Sequence, residues 1–141
     1  MCLSEAYRAV GGFDEKLFFM YCDDVDLSWR IRLEGYDIIY QPLAPVFHAK
    51  RLSSKGHWRS TEAEEYYSAE AALFMAHKWS FDKRLNRLLK EYESSGKQAQ
   101  MRAMHSYLER KAAGTLPEPI DSEHRVGDIT DDGYASVRFH I

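Results

Sequence analysis

The segment Tyr21-Cys22-Asp23-Asp24-Val25-Asp26-Leu27 places three carboxylates within four residues, next to the predicted start of a helix. Like charges this close repel one another, so a fold tolerates them only beside a cation, a hydroxyl-bearing substrate or bulk water. The segment therefore predicts a functional site rather than a packing element. Three roles are open to it at this point: cation binding, helix capping and proton abstraction.

The composition predicts a single domain that does not bind nucleic acid. The chain has 141 residues, 45% of them hydrophobic and 13% aromatic, which is enough to build a core. Its net charge of -3 provides no basic footprint for a polyanion. Cys2 and Cys22 are too few for a disulfide framework or a zinc site, which indicates a reducing compartment and hence the cytoplasm.

Neither a transmembrane segment nor a secretory signal is expected. The longest apolar stretches, such as residues 17–22, are far shorter than the ~18 residues that a membrane span needs. Residues 1–5 lack the basic region and the apolar core of a signal peptide. Any association with a membrane would therefore be peripheral.

Start and stop signals predict two helices before residue 36. Ser4 is the predicted cap of a helix that runs to Val10 and ends at two glycines. Residues 17–21 are predicted to be extended and to lead into a helix that Asp23 or Asp24 caps and that runs to about residue 34.

The second of these helices carries one charged stripe and is otherwise apolar. Asp26, Arg30 and Glu34 recur at four-residue spacing, so we expect Asp26 to pair with Arg30 on the helix surface. The other faces are mostly apolar, and Trp29 and the more distant Trp79 are predicted core residues.

Two strands and three helices are predicted after residue 36. Residues 37–41 and 45–48 are predicted as short strands bounded by prolines, with a polar loop at 49–60. Thr61 and Glu64 form a predicted capping box for a helix that runs to residue 79. Apolar periodicity predicts two more helices, one from Asp82 to about residue 93 and one over residues 97–113. Prolines mark a linker at 117–119, and the alternating pattern of residues 137–141 predicts an edge strand or a disordered tail.

A calcium loop of the EF-hand type is excluded for the acidic segment. Such a loop starting at Asp24 needs glycine at its sixth position and glutamate at its twelfth. The chain has Trp29 and Gly35 there. A site for manganese, magnesium or zinc and a general base that takes a proton from a hydroxyl both stay open.

Several motifs in residues 1–80 together resemble the family 2 inverting glycosyltransferases of the GT-A fold. In order, they are Gly11-Gly12-Phe13-Asp14-Glu15, Phe18-Phe19-Met20-Tyr21, Asp23-Asp24-Val25-Asp26-Leu27, Arg30, Gly35-Tyr36, Tyr40, Pro42 and His48. The combination is specific, although each piece alone is weak. The resemblance implies an α/β fold, the C-terminal part of a Rossmann-like GT-A domain over residues 1–80. A helical extension at 81–116 and a linker and tail at 117–141 would follow.

The resemblance also implies roles for individual residues. Asp24 matches the catalytic base, and Asp23 and Tyr21 would contact the substrate. His48 matches the family's ligand of the divalent cation, Mn²⁺ or Mg²⁺, that holds the donor diphosphate. Arg51 and Trp58 lie in the loop after His48, where family members close over the substrate. The partners implied are a nucleotide-sugar donor and a carbohydrate or lipid-linked acceptor, as in polysaccharide biosynthesis.

The chain also departs from the family pattern. No N-terminal βαβ half with its Asp-x-Asp metal motif precedes Met1, so we expect the C-terminal portion of a transferase, inactive in isolation. The missing half could be a separate chain, or the protein could be a homo-oligomer. The Gln-x-x-Arg-Trp motif of processive members is absent, which favours transfer of one sugar at a time.

Structural roles compete with each of these assignments. Asp24 could cap its helix, His48 could bond to the backbone at a strand end, and the basic loop could simply be solvated. In that case the chain would be a non-catalytic binding or assembly module, or an inactive remnant, that docks a partner through its helical half. A metal-dependent hydrolase is a weaker alternative, because the sequence offers no second ligand cluster.

Overall fold

Helices make up most of the computed structural model, which describes residues 2–47, 60–130 and 133–134. The helices are α1 (Ser4–Ala9), α2 (Asp23–Leu33), α3 (Glu62–Lys78), α4 (Asp82–Ser94) and α5 (Gln98–Ala112). Two short strands, β1 (Ile129–Thr130) and β2 (Gly133–Tyr134), pair antiparallel with Ile129 opposite Tyr134. None of the described helices is both long and apolar enough to cross a bilayer.

Helix α3 is the centre of the core, and the sequence at its start explains where it begins. Thr61 and Glu64 form a reciprocal capping box, with the Glu64 amide donating to Thr61 Oγ1 at 3.2 Å and the Thr61 amide donating to Glu64 Oε2 at 2.7 Å. Toward its C-terminus α3 is buried on nearly every side, because α4 and α5 both pack against it. The buried residues of the three helices include Leu73, Phe74, Met75, Ala76, Leu85, Leu88, Tyr92, Ala99, Ala103, Met104 and Tyr107.

Helix α2 joins this core through an aromatic pair. The indoles of Trp29 and Trp79 meet edge to face, with ring centroids 5.0 Å apart and planes at 84°. On another side of α2, a smaller cluster contains Ala6 of α1 and Leu27 and Ile31 of α2. The helix therefore lies between two apolar clusters, which leaves its first turn at the edge of the core.

The segment after α5 folds back onto the C-terminal end of α3. The Ile120 amide donates to the Lys78 carbonyl at 2.7 Å, and Ser80 Oγ donates to the Ile120 carbonyl at 2.8 Å. Asp121 then accepts hydrogen bonds from the amides of Arg125, Val126 and Gly127. These contacts close the core over Trp79.

The structure confirms the predicted helices, within one or two residues at their ends, but not the predicted N-terminal caps of the first two. Leu3 is the N-cap of α1 and Cys22 that of α2, and neither helix has a side-chain cap. The N-cap position predicted for Asp23 or Asp24 is wrong, because both residues already lie inside the first turn of α2, although the Asp24 carboxylate does accept the amide of Val25 in that turn.

The extended segments predicted from apolar runs are not strands in the described part of the chain. Residues 17–21 form turns, in which the Leu17 and Phe18 amides donate to the Asp14 carbonyl. Residues 37–47 form neither helix nor strand, and their apolar side chains are exposed, Phe47 by 96%. A strand needs a neighbour for its backbone groups, and no described segment pairs with residues 37–47. The α/β architecture and the division into three regions thus stay predictions.

Candidate functional site

The acidic segment forms the first turn of α2, directly after a sharp reversal of the chain. Cys22 has a left-handed backbone with φ of 66°, and its carbonyl accepts the Asp26 amide at 2.8 Å. A non-glycine residue pays roughly 1 kcal/mol or more for this conformation. The positive end of the helix dipole favours carboxylates in this turn, which offsets part of their mutual repulsion.

Asp24 is exposed and bonds only to its own helix among the described residues. Its Oδ1 accepts the Val25 amide at 2.8 Å, and its carbonyl accepts Ser28 Oγ at 2.7 Å. No described donor reaches its Oδ2. This leaves a carboxylate oxygen, fixed on a helix and open to solvent, that can take a proton from an incoming hydroxyl.

Tyr21 lies between the acidic turn and the start of α3. Its side chain is half-buried and packs against the main core. Burial raises the pKa of the Tyr21 phenol above its usual value, and the Glu64 carboxylate raises it further. Tyr21 therefore stays a neutral hydroxyl at physiological pH, which suits it to hydrogen bonding rather than proton abstraction.

An aromatic pair occupies the surface beside this segment. Phe19 is largely exposed, and its ring lies 4.7 Å from that of Tyr67 on α3 at a tilt of 44°. Tyr67 also meets Tyr66 edge to face. Phe19 is thus an exposed aromatic ring close in sequence to the exposed carboxylate of Asp24, and ligand sites typically combine apolar faces with a few polar groups that orient the ligand. Residue patterns alone did not assign Phe19 or Tyr67 to the site, since the tertiary fold pairs them.

Asp26 has the opposite environment to Asp24 and is fully buried. Its Oδ2 accepts Arg30 Nε at 2.8 Å, while its Oδ1 accepts Lys78 Nζ at 2.8 Å and Trp79 Nε1 at 3.0 Å. The predicted pair with Arg30 is confirmed, but its predicted place on the surface is wrong. The reason is that Lys78 and Trp79, remote in sequence, supply donors that make burial of the carboxylate tolerable.

The two cations of this cluster also reach other parts of the chain. Lys78 Nζ contacts Asp14 Oδ2 at 2.8 Å, and Arg30 Nη1 donates to the Val10 carbonyl at 2.6 Å. Together with residues 10–16 they line an open cleft of about 390 Å³. The buried Nη2 of Arg30 has no hydrogen-bond partner among the described residues.

Three of the predicted site residues lie outside the described part of the chain: His48, Arg51 and Trp58. Their predicted roles are therefore not tested by the structure. Within the described residues, no group of three histidine, cysteine or acidic side chains is placed to hold a metal ion. Asp24 and Asp26 illustrate why, since one carboxylate is open to solvent and the other is enclosed in the core.

Comparison with known proteins finds partial matches to two enzymes of Mycobacterium tuberculosis. The chain is 47% identical over 49 residues to an N-acetylglucosaminyl-diphospho-decaprenol L-rhamnosyltransferase, a match covering 35% of this chain and 16% of the enzyme. It is 39% identical over 72 residues to a pre-mycofactocin glycosyltransferase, covering 51% of this chain and 14% of the enzyme. The chain is similar to glycosyltransferases.

These matches show a likeness to glycosyltransferases over part of the chain. No family profile and no solved structure matches the chain. The matched segments span only 16% and 14% of the two relatives, so most of each enzyme has no counterpart in the alignment. Family 2, the GT-A fold and the assignment of individual residues accordingly stay predictions.

Proposed function

We propose that this chain carries the acceptor side of an inverting family 2 glycosyltransferase, with Asp24 as the general base. The observation that carries the proposal is the geometry of Asp24, whose carboxylate is fixed at the start of α2 and has one oxygen open to solvent. The similarity to glycosyltransferases supplies the reaction class.

The proposed reaction is a single displacement at the anomeric carbon of the donor sugar. An acceptor hydroxyl oxygen forms a bond to that carbon while the bond to the diphosphate oxygen breaks, and the diphosphate leaves with the electron pair. The hydroxyl proton passes to the free oxygen of Asp24. Attack opposite the leaving group inverts the configuration. Asp23 and Tyr21 would orient the acceptor, because Asp23 lies in the acidic turn, Tyr21 lies just before it, and neither is fully buried.

The donor side of the proposed site is assigned from the family resemblance. A divalent cation, when bound, would neutralise charge on the departing diphosphate. We assign His48 as its ligand and Arg51 and Trp58 as substrate contacts, from the family resemblance. Activity would also require a part of the protein that binds the nucleotide of the donor.

The acceptor is proposed to be a carbohydrate carried on a lipid diphosphate. The name of the rhamnosyltransferase relative describes transfer to an N-acetylglucosaminyl-diphospho-decaprenol. A lipid-linked acceptor of that chemical class would place the protein at the cytoplasmic face of a membrane, bound peripherally.

Asp24→Asn in the protein that contains this chain tests the base assignment. Glu34→Gln is the matched control, because it removes an exposed carboxylate from the other end of the same helix. Release of nucleoside diphosphate would be followed with a panel of nucleotide sugars and a polyprenyl-diphosphate-linked N-acetylglucosamine. We expect Asp24→Asn to lower kcat by about 10²- to 10⁴-fold with donor binding kept, and Glu34→Gln to change it less than about twofold.

One outcome would contradict the base assignment, and another would contradict the transferase proposal as a whole. Unchanged turnover in Asp24→Asn contradicts the base assignment. Lack of turnover by the unmodified protein with every donor, together with no thermal stabilisation by nucleotide sugars, would instead favour the non-catalytic assembly module.

The cation assignment has its own test. Removing divalent ions with a chelator should abolish turnover, and Mn²⁺ or Mg²⁺ should restore it. His48→Ala should raise the Mn²⁺ concentration needed for half-maximal rate by roughly 10-fold or more, since a lost ligand weakens binding. His105→Ala, which removes an exposed histidine on α5, is the control. Equal Mn²⁺ dependence in the two variants would contradict the assignment of His48.

A further inference from the structure

The buried ionic cluster around Asp26 lies in the same helical turn as the proposed base. We propose that Asp26 is a positioning residue that fixes the first turn of α2 and, through it, the carboxylate of Asp24. This inference rests on the proposed function for its catalytic consequence. Its structural part can be measured independently of activity.

Asp26 cannot itself act on a substrate in the observed arrangement. Its side chain is fully buried, and both of its oxygens accept hydrogen bonds from charged or aromatic donors. A buried carboxylate with three donors is a fixed point, because moving it would break its ion pairs with Arg30 and Lys78 and its hydrogen bond from Trp79.

The donors to Asp26 are themselves anchored elsewhere. Lys78 and Trp79 lie at the C-terminal end of α3, and Lys78 also contacts Asp14 at 2.8 Å. Arg30 also donates to the Val10 carbonyl, in the connection after α1. The cluster pairs the carboxylates of Asp14 and Asp26 with the cations of Arg30 and Lys78, so their formal charges cancel. It ties α2 to α3 and to the loop after α1.

The beginning of α2 depends on this cluster because the usual device for fixing a helix start is missing. Cys22, the N-cap, has a left-handed backbone and provides no side-chain cap. Its carbonyl instead receives the Asp26 amide. Asp24 lies between these two residues, so a displacement of Asp26 would move the Asp24 carboxylate. Errors of about 1 Å in the position of a catalytic group are enough to slow a reaction strongly.

Asp26→Asn is the informative variant, and Asp14→Asn is its matched control. Each removes one of the two carboxylates that contact Lys78, but only Asp26 belongs to α2. Both variants would be assayed well below their unfolding temperatures. We expect Asp26→Asn to lower kcat by about 10-fold or more with the KM for the donor unchanged, because positioning rather than binding is lost. Asp14→Asn should lower kcat less than Asp26→Asn does, because it leaves all three donors to Asp26 in place.

Hydrogen exchange of the backbone amides provides the readout that needs no activity. Peptides covering residues 23–27 should exchange faster in Asp26→Asn than in Asp14→Asn, while peptides from α5 should be alike in both. If Asp26→Asn fails to fold, Trp79→Phe replaces it, since this change removes one donor to Asp26 and keeps both cations. It should shift kcat and exchange in the same directions, by smaller amounts.

Two results overturn the proposal. One is an unchanged kcat in the folded variant of an active enzyme. The other is exchange in residues 23–27 that matches Asp14→Asn. If the proposed function fails because the protein shows no turnover, the exchange comparison still decides whether Asp26 fixes the turn.

Discussion

At the scale of single residues, Asp24 and Asp26 of the acidic segment differ in burial because of helical geometry. Successive residues of an α-helix are about 100° apart, so residues two positions apart point in roughly opposite directions. Asp24 is exposed and Asp26 is buried for this reason. Once one face of α2 packs on Trp79, only one of the two carboxylates can meet a substrate.

Replacement of Gly12 should destabilise the fold for two reasons, its backbone conformation and the lack of space for a Cβ. Its φ is +77°, and a Cβ there would lie 2.8 Å from the Tyr7 hydroxyl, whereas Gly11 has φ of +73° and open space around a Cβ. We expect Gly11→Ala to cost about 1 kcal/mol of unfolding free energy for the backbone alone. Gly12→Ala should cost about 1 kcal/mol more, because the Tyr7 ring must leave its contact with Phe13.

Urea unfolding of the two variants measures this difference directly. Gly11→Ala is the control for the positive φ, so the excess in Gly12→Ala reports the steric contact. Equal losses in both variants would contradict the predicted role of Tyr7.

At the scale of elements, helices could be predicted because their signals are local. The start of α3 is marked by the capping box of Thr61 and Glu64 at that same place in the chain. The helix α4 is marked by its own periodic leucines. The predicted strand at 37–41 was wrong because strand formation depends on a partner, which a local apolar pattern does not specify. For the candidate site, the sequence predicted the pairing of Asp26 with Arg30 but not the burial of Asp26, since Lys78 lies in another helix, and the role of Asp24 stays a prediction.

The loop that Asp121 holds together predicts a dependence of stability on acid. Burial alone would raise the pKa of the Asp121 carboxyl, but the amides of Gly127, Val126 and Arg125 outweigh it and bring the pKa below its usual value. A lowered pKa stabilises the fold above the unfolded-state pKa of about 4, and this contribution is lost as the pH falls through the lower, folded-state pKa.

Asp121→Asn should therefore lower stability near neutral pH and flatten its fall in acid. The expected loss is about 1 to 2 kcal/mol, since an amide group replaces one of the two accepting oxygens. Glu123→Gln is the control, as Glu123 is an exposed acid in the same loop. Urea unfolding at neutral and acidic pH measures both variants. A parallel acid dependence in Asp121→Asn and the parent would contradict the prediction.

Tyr92 on α4 predicts the corresponding behaviour in alkali. Burial, with a further contribution from Glu91, raises the pKa of Tyr92 to about 12. The stabilising effect is complete below the unfolded-state pKa of about 10 and is lost as the pH rises towards 12, by at most about 2 to 3 kcal/mol.

Tyr92→Phe should remove part of this alkaline loss while changing stability near neutrality by less than about 1 kcal/mol, because the Tyr92 hydroxyl makes one long hydrogen bond of 3.5 Å. Tyr40→Phe, at an exposed tyrosine, should keep the alkaline loss of the parent. Urea unfolding at mildly and strongly alkaline pH distinguishes the two. An undiminished alkaline loss in Tyr92→Phe would show that Tyr92 is not the group responsible.

At the scale of the whole molecule, apolar surface is distributed unevenly. The bundle of α3, α4 and α5 encloses most of its large apolar side chains, whereas residues 38–47 expose theirs. Leu43 and Val46 are each 89% exposed, and Ile39 is 82% exposed. A concentration of exposed apolar side chains of this kind favours association, because burial of each removes apolar area from water.

We therefore expect the isolated chain to self-associate as its concentration rises, through residues 38–47. The double variant Leu43→Ser with Val46→Ser should weaken association by about 10-fold or more. Burying one aliphatic side chain in an interface contributes at most about 1.5 to 3 kcal/mol, and about 1.4 kcal/mol corresponds to a tenfold change in affinity. Leu108→Ser is the control, since Leu108 is a partly exposed leucine on α5, away from this segment in sequence. Sedimentation velocity over a wide concentration range compares the three proteins. If the double variant associates as strongly as the parent and only Leu108→Ser weakens association, the contact lies on the helical bundle instead, because the apolar surface of α5 would then be what the copies bury.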